Sequence, residues 1–178
     1  MRDGRSVEIG AIGIDGITDP YALFGIDEAV VETMVQIPGT AFRIKRDVLI
    51  YQFQTDTALH EIIQKYRRLN LSQIVQTAAC NRLHTLEERC CRWLLIAHDS
   101  ALSDSFPMTH EFLAIMLGTQ RSGVSLAAKA LQNKKLISYS RGRMTISNRS
   151  GLEKEACECY ASIRAERDRL FGVSVRTQ

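Results

Sequence analysis

Apolar residues recur along this chain with two different spacings, and the change falls near residue 57. Before that point, short apolar or β-branched runs at residues 7–10, 30–37 and 41–44 alternate with turns containing Gly or Pro. Such runs predict antiparallel β structure, with a helical stretch at residues 46–51. From residue 57 onwards apolar residues follow the 3,4 spacing of helices. The pattern therefore predicts an α+β fold.

A long helix is predicted at residues 57–81, which contain neither Gly nor Pro. Its apolar residues fall on two faces, and a helix with two apolar faces needs two packing partners. One partner is expected to be its own domain, and the other is either another domain or a second copy of the chain. We assign the homodimer seam to the stripe formed by Leu59, Ile62, Tyr66, Leu69 and Gln73. The second stripe comprises Ile63, Leu71, Ile74 and Ala78.

Three further helices are predicted between residues 85 and 133. The first is opened by a capping box of Thr85 and Glu88 and ends near His98. After a polar loop, Thr109 can cap a helix that Gly118 ends. The next helix has an apolar face made by Val124, Ala127, Ala128 and Leu131. Two helices joined by a short Gly-containing turn form a helix-turn-helix pattern.

A β-hairpin is predicted directly after this pair, since two β-rich runs flank Arg141-Gly142. A hairpin in this position forms the wing of a winged helix-turn-helix at residues 108–147. Ser150 and Glu153 resemble another capping box, which predicts a final helix beginning at Ser150. Residues 173–178 are expected to be a frayed tail.

Charge is distributed unevenly, although the net charge of the 178 residues is only +3. Residues 109–150 carry seven basic residues and a single acid, Glu111, which gives this segment a charge of +6. A field of one sign favours a polyanionic partner, whereas an ordinary solvated surface mixes both signs. We therefore expect the helix pair to bind double-stranded DNA. An ordinary helical hairpin is the alternative that the spacing alone leaves open.

The candidate DNA contacts lie on the second helix, in the turn before it and on the wing. Arg121 stands at the start of the helix, where its guanidinium can donate two hydrogen bonds to guanine. Lys134 and Lys135 are expected to contact phosphates. The predicted interface comprises Thr119, Gln120, Arg121, Ser122, Ser125, Leu126, Lys129, Arg141 and Arg143.

The stretch from Phe112 to Ile146 resembles the C-terminal domain of Crp/Fnr-type bacterial regulators, as do Cys80 to Arg89 and Arg92-Trp-Leu-Leu95. The resemblance implies a homodimer joined through the long helix and a winged domain that reads DNA. It also implies a sensory β-roll at the N-terminus and RNA polymerase as a second candidate partner. The expected division is a partial β-roll at 1–56, a dimerisation helix at 57–81, a winged helix-turn-helix domain at 82–172 and the tail.

Two departures from the family pattern limit what the resemblance implies. The recognition helix matches the family's first arginine with Arg121, but Ser122 and Leu126 stand where family members often have Glu and Arg. The turn at residues 13–17 lacks the glutamate that binds ribose in cyclic-nucleotide sensors. Ala29 and Val30 replace the phosphate-binding Arg and its hydroxyl neighbour. We expect a different operator from that of the catabolite activator, and no response to cyclic AMP.

Other classes of function find little support in the sequence. There is no phosphate loop or nucleophile elbow, so an enzyme is not expected. The five cysteines are odd in number and show no C-x-x-C pair, so we expect reduced thiols, no metal and no cofactor. In particular, Cys157 and Cys159 are expected to point to different faces of one helix. With no apolar span or secretion signal, the expected location is the cytoplasm, away from membranes.

Two alternatives to a DNA-binding regulator remain open. The winged domain can instead be a dimeric module that docks a protein. Cys90 and Cys91 can also form a thiol redox switch, although vicinal cysteines rarely pair without backbone strain.

Overall fold

A computed structural model describes residues 2, 4, 6–14, 16–25, 28–29 and 31–172. A 3-10 helix at Pro20–Phe24 precedes the first α-helix. The elements that follow are α1 (Arg46–Thr55), α2 (Thr57–Leu83), α3 (Leu86–Ala101), β1 (Ser105–Pro107), α4 (His110–Met116), α5 (Arg121–Asn133), β2 (Ile137–Ser140), β3 (Arg143–Ile146), α6 (Arg149–Glu155) and α7 (Glu158–Phe171). The α+β class is confirmed.

The predicted β structure in the first part of the chain is wrong for the residues that the structure describes. No strand occurs among them before Ser105, and Val30 lies outside the described residues. Isolated short runs without a hydrogen-bonded neighbour cannot form a stable sheet. The segment instead packs back on the rest of the chain: the Glu8 amide donates to the Met116 carbonyl at 3.2 Å. The Trp93 indole donates to the Glu8 carboxylate at 2.8 Å. The partial β-roll is therefore not formed in this part of the chain.

The long helix α2 confirms the prediction for residues 57–81 and extends to Leu83. Asp56 caps it, since its carboxylate accepts from the amides of Ala58 and Leu59. Tyr66 and Leu69, predicted at the dimer seam, are buried within the chain. Leu59 packs against the cluster of Leu23, Phe53 and Ile63. The first stripe is thus largely used inside the protomer, because the helix lies between α1, the N-terminal segment and α7.

The winged domain is built on the core predicted from the helical spacing. The Thr85–Glu88 capping box is present, and the Thr109 hydroxyl accepts from the amide of Phe112. Val124, Ala127, Ala128 and Leu131 form the buried face of α5. The sheet has the strand order β1-β3-β2, with both pairs antiparallel. Strand β1 was not predicted because it has three residues and contains Pro107, which is tolerated at a sheet edge.

The last predicted helix is in fact two helices. Asn148, not Ser150, caps α6, and its side chain accepts from the amide of Gly151 at 2.9 Å. The predicted Ser150–Glu153 capping box is therefore wrong: Ser150 already lies inside the first turn. The chain leaves the helical conformation at Ala156 and Cys157 before α7 begins at Glu158. The predicted tail at 173–178 lies outside the described residues.

Candidate nucleic-acid interface

Helix α5 presents one apolar face to the core and one polar face to solvent. Gln120, Arg121, Ser122 and Lys129 are exposed, and Thr119 is half-buried. The Gln120 side chain does not cap the helix, so the amides of the first turn are available to a phosphate. The Thr119 amide is not, since it donates to the Ala114 carbonyl at 3.0 Å. Leu126 is 71% exposed, which suits a contact with an apolar group such as a thymine methyl.

Arg121 occupies the N-terminal end of α5 and faces solvent. Its Nε lies 3.7 Å from Glu111 Oε2, and both side chains are more than two-thirds exposed. An exposed pair at this distance contributes little free energy, so the guanidinium can exchange Glu111 for a nucleic-acid acceptor. Glu111 is the single acid of the 109–150 segment, and the pair spans the turn between α4 and α5.

Ser125 is held by contacts within the protein. Its hydroxyl donates to the Arg121 carbonyl at 3.0 Å and lies 3.0 Å from His110 Nδ1. The Ser125 hydroxyl has one proton, which it donates to the Arg121 carbonyl. Its oxygen must therefore accept a hydrogen bond from His110 Nδ1. Burial, followed by the charge of Arg121, lowers the pKa of His110 and so favours the neutral ring, in which the contact with Ser125 places the proton on Nδ1. Ser125 therefore has less capacity to read a base than its position in the sequence suggests.

His110 belongs to the candidate interface by its contacts, although the sequence did not single it out. It stacks on Tyr139 of β2 with ring centroids 4.1 Å apart. Through Ser125 and Tyr139 it connects α4, α5 and the wing. Its place directly after the Thr109 cap was visible in the sequence, but its contacts depend on how the three elements pack.

The wing turns at Arg141 and Gly142, which both have positive φ angles of 48° and 76°. Two consecutive positive φ values are typical of the type I′ turn that joins tight hairpins. Arg141 is exposed at the tip, whereas the Arg143 guanidinium donates to the Ser105 carbonyl at 3.3 Å. Arg141 is thus the more available of the two to a phosphate.

Two of the seven basic residues in the 109–150 segment pair closely with carboxylates that lie outside it. Lys134 Nζ lies 2.6 Å from Glu155 Oε2, and the lysine side chain is 45% exposed. Arg149 pairs with Asp99 at 2.8 Å and with Glu153 at 3.1 Å, and its side chain is 16% exposed. Arg149 is therefore withdrawn from the surface, whereas the charge of Lys134 stays exposed beside Glu155. To contact a phosphate, as the sequence predicts, Lys134 must break its ion pair with Glu155.

Arg149 organises a polar network beneath the wing. Besides its carboxylate partners, its Nη2 donates to the Tyr160 hydroxyl at 2.6 Å, and that hydroxyl donates to Asp99 at 2.9 Å. Burial raises the pKa of Tyr160 to about 12, so the phenol remains a donor. The network joins α3, α6 and α7 and so fixes the base on which α5 rests.

The cysteines divide into two groups. Cys90 and Cys91 are buried in the core of the winged domain, and burial raises the pKa of the Cys91 thiol to about 12. Buried thiols that stay protonated are poor nucleophiles, which disfavours the redox switch considered above. Cys80, Cys157 and Cys159 form a separate buried cluster.

The prediction that Cys157 and Cys159 point to different faces of one helix is wrong. Helix α7 begins at Glu158, and Cys157 precedes it in an extended conformation, with φ −65° and ψ 159°. The thiols of both residues meet Cys80 and His84 at the end of α2, and the ligand atoms of all four lie within 4.8 Å of one another. These residues could hold a metal ion.

Comparison with known proteins identifies the region that carries the predicted interface. Residues 88–155 match the family model of the Crp-like helix-turn-helix domain. This part of the chain is therefore similar to a Crp-like helix-turn-helix domain. Every predicted DNA-contact residue falls inside the match, and the resemblance to Crp/Fnr-type regulators is confirmed. No curated protein matches the sequence significantly.

Solved structures of bacterial proteins resemble part of the chain. FixK2 from Bradyrhizobium japonicum is 18% identical with a TM-score of 0.57, and the match covers 64% of this chain and 60% of that one. A CRP-family transcriptional regulator from Thermus thermophilus is 19% identical with a TM-score of 0.49, over 69% of this chain and 58% of that one. A Crp/Fnr-family protein from Eubacterium rectale is 19% identical with a TM-score of 0.48, over 62% and 51%. The matched part thus spans 51–60% of these three structures.

None of the helices in the described part of the chain combines the length and apolar character needed to cross a membrane.

Proposed function

We propose that this chain is a sequence-specific regulator of transcription of the Crp/Fnr type that binds double-stranded DNA as a homodimer. The observation that carries the proposal is the exposed polar face of α5, which bears Arg121, Ser122 and Lys129 on a helix that packs against strand β2 of the wing. A helix of this width fits the major groove of B-DNA, and a bidentate arginine at its start can distinguish guanine. RNA polymerase remains a predicted partner that rests on the family resemblance.

A salt titration separates DNA binding from the alternative of a protein-docking winged domain. Each phosphate contact releases counterions, so the logarithm of the binding constant should fall with the logarithm of salt concentration by about 0.9 per phosphate. The measurement is fluorescence anisotropy of a labelled duplex with the purified chain. Arg141→Ala should reduce this slope by about one per half-site. Lys65→Ala, an exposed lysine on α2, is the matched control and should leave it unchanged. A flat response to salt would favour the protein-docking module.

Dimerisation is proposed through α2, but through a different stripe from the one that the sequence indicated. Leu71 and Val75 are each 60% exposed, and Ala78 follows at helical spacing on the same face. Residues 71, 75, 78 and 82 repeat with the 4,3,4 spacing of a coiled-coil seam. Two antiparallel or parallel copies of α2 can bury this stripe against each other while Tyr66 and Leu69 remain in the protomer core.

The absence of a response to cyclic AMP is proposed from the N-terminal segment. A cavity of about 70 Å³ lies between this segment, α2 and α7, lined by residues such as Ala11, Gly13 and Gln73. Pockets for ligands of nucleotide size measure about 300–1,000 Å³. Calorimetric titration with cyclic AMP should give no heat of binding; micromolar affinity would contradict the proposal.

A further inference from the structure

Four residues that can bind a metal meet where the long helix joins the winged domain. Cys80 lies in the last turn of α2 and His84 is its C-terminal cap. Cys157 is the N-terminal cap of α7 and Cys159 lies in its first turn. The three thiols are buried, and the His84 side chain is 16% exposed. The two pairs are far apart in sequence and are brought together by the packing of α7 on α2.

We propose that Cys80, His84, Cys157 and Cys159 bind one zinc ion. Cys80 Sγ and Cys157 Sγ are 3.6 Å apart, and Cys159 Sγ lies 3.5 Å from His84 Nδ1. Ligands at tetrahedral angles around zinc, with bonds of about 2.3 Å to sulfur and 2.0–2.1 Å to nitrogen, are separated by ~3.5–3.8 Å. Two ligand pairs have this spacing and all four ligand atoms lie within 4.8 Å of one another, so small side-chain movements would complete a tetrahedral site. Thiolate with imidazole is a donor set that zinc prefers.

The neighbours of the four ligands are those of a metal site. His84 turns Nδ1 towards the cysteines and holds Nε2 3.1 Å from Glu158 Oε2. A carboxylate on the second ring nitrogen fixes the tautomer and orientation of metal-binding histidines. Gln76 Nε2 donates to Cys159 Sγ at 3.0 Å. This direction suits a metal-bound thiolate, because a thiolate can only accept hydrogen bonds.

The positive charge of two arginines beside the cluster also favours a metal complex with a net negative charge. Zinc with three thiolates and a neutral histidine has a net charge of −1. Arg92 is 3% exposed, and the Nε atoms of Arg89 and Arg92 are buried without a hydrogen-bond partner in the part of the chain that the structure describes. Both guanidiniums act electrostatically on the thiol cluster. A buried cation needs a compensating negative charge, which the tris-thiolate complex supplies.

The zinc ion would fasten α7 to the end of α2. Loading the site would then fix the orientation of the winged domain on the long helix. This inference concerns a metal site and does not depend on the proposed DNA-binding function.

The full chain, purified without added metal, is the material for the test. Elemental analysis should give one zinc per chain. After chelation, titration with Co²⁺ should restore one equivalent, with a thiolate-to-cobalt charge-transfer band and the visible spectrum of tetrahedral cobalt. Cys157→Ser and His84→Ala should each lose the stoichiometric metal. Cys91→Ala, which removes a buried cysteine outside the cluster, should retain it.

A variant at the edge of the site keeps the test decisive if removal of a ligand prevents folding. Glu158 is exposed, and Glu158→Gln should weaken zinc affinity by about 10–100-fold, measured by competition with a chromophoric chelator. An unchanged affinity, a metal-free chain that takes up no Co²⁺, or a Cys80–Cys157 disulfide in the freshly purified protein would each overturn the proposal.

Discussion

At the scale of single residues, the proposed reading of DNA depends chiefly on Arg121. Ser125 is occupied by the Arg121 carbonyl and by His110, and Arg143 donates to β1. Arg121 has only a weak, exposed pair with Glu111 to give up. The candidates from the sequence are therefore unequal: we expect Arg121 to read a base, and Arg141 and Lys129 to contact phosphates.

Arg121→Ala should reduce binding to the preferred duplex by about 1–3 kcal/mol and relax the preference at one base pair in each half-site. The reason is the loss of a bidentate contact to guanine. Anisotropy titrations with a set of duplexes that differ at single positions measure both effects. Arg141→Ala is the control and should weaken binding to all the duplexes equally. A uniform loss for Arg121→Ala as well would mean that this arginine contacts only the backbone.

Arg149→Ala should lower the free energy of unfolding by on the order of 3 kcal/mol, because it removes the cation that contacts the half-buried Asp99 and the buried Tyr160. Urea denaturation measures this change. Lys154→Ala, an exposed site on the same helix, should stay within about 0.5 kcal/mol of the parent protein. Equal effects of the two substitutions would show that the network does not stabilise the domain.

At the scale of elements, local signals located the winged domain. Caps at Thr85 and Thr109, the glycine at 118 and the turn at Arg141-Gly142 each act within a few residues, so the sequence displays them. The errors fall where an element needs a distant partner. The N-terminal runs have the composition of strands but no sheet to join. Helix α6 is capped by Asn148, which lies in the short connection from β3, and not by Ser150.

Helix α2 offers a direct choice between two dimer seams. Val75→Glu should convert the dimer to a monomer, since two carboxylates would face each other across the exposed Leu71–Val75 stripe. Ile62→Glu, an exposed substitution on the stripe first assigned from the sequence, should leave the dimer intact. Analytical ultracentrifugation measures both. Dissociation by Ile62→Glu alone would restore the original assignment, and a parent chain that is monomeric would contradict dimerisation.

At the scale of the whole molecule, the packing of distant segments determines which side chains come into contact, and the sequence does not display those contacts. Cys80 and Cys157 are 77 residues apart and come together because α7 lies along α2. The sequence displayed all four candidate ligands without the geometry that joins them. The count of basic residues likewise overstated the charge available to a polyanion, since Arg149 is largely buried beside Asp99 and Lys134 pairs with Glu155 of α6.

Selection of duplexes from a random DNA library, followed by footprinting at physiological salt, shows whether the chain reads DNA as a dimer. A dimeric regulator should select a two-fold symmetric site with half-sites about 34–36 Å apart, each protected over the major groove that α5 would enter. Recovery of no enriched sequence, or of an asymmetric site bound by a single chain, would contradict a dimeric regulator that reads DNA through α5.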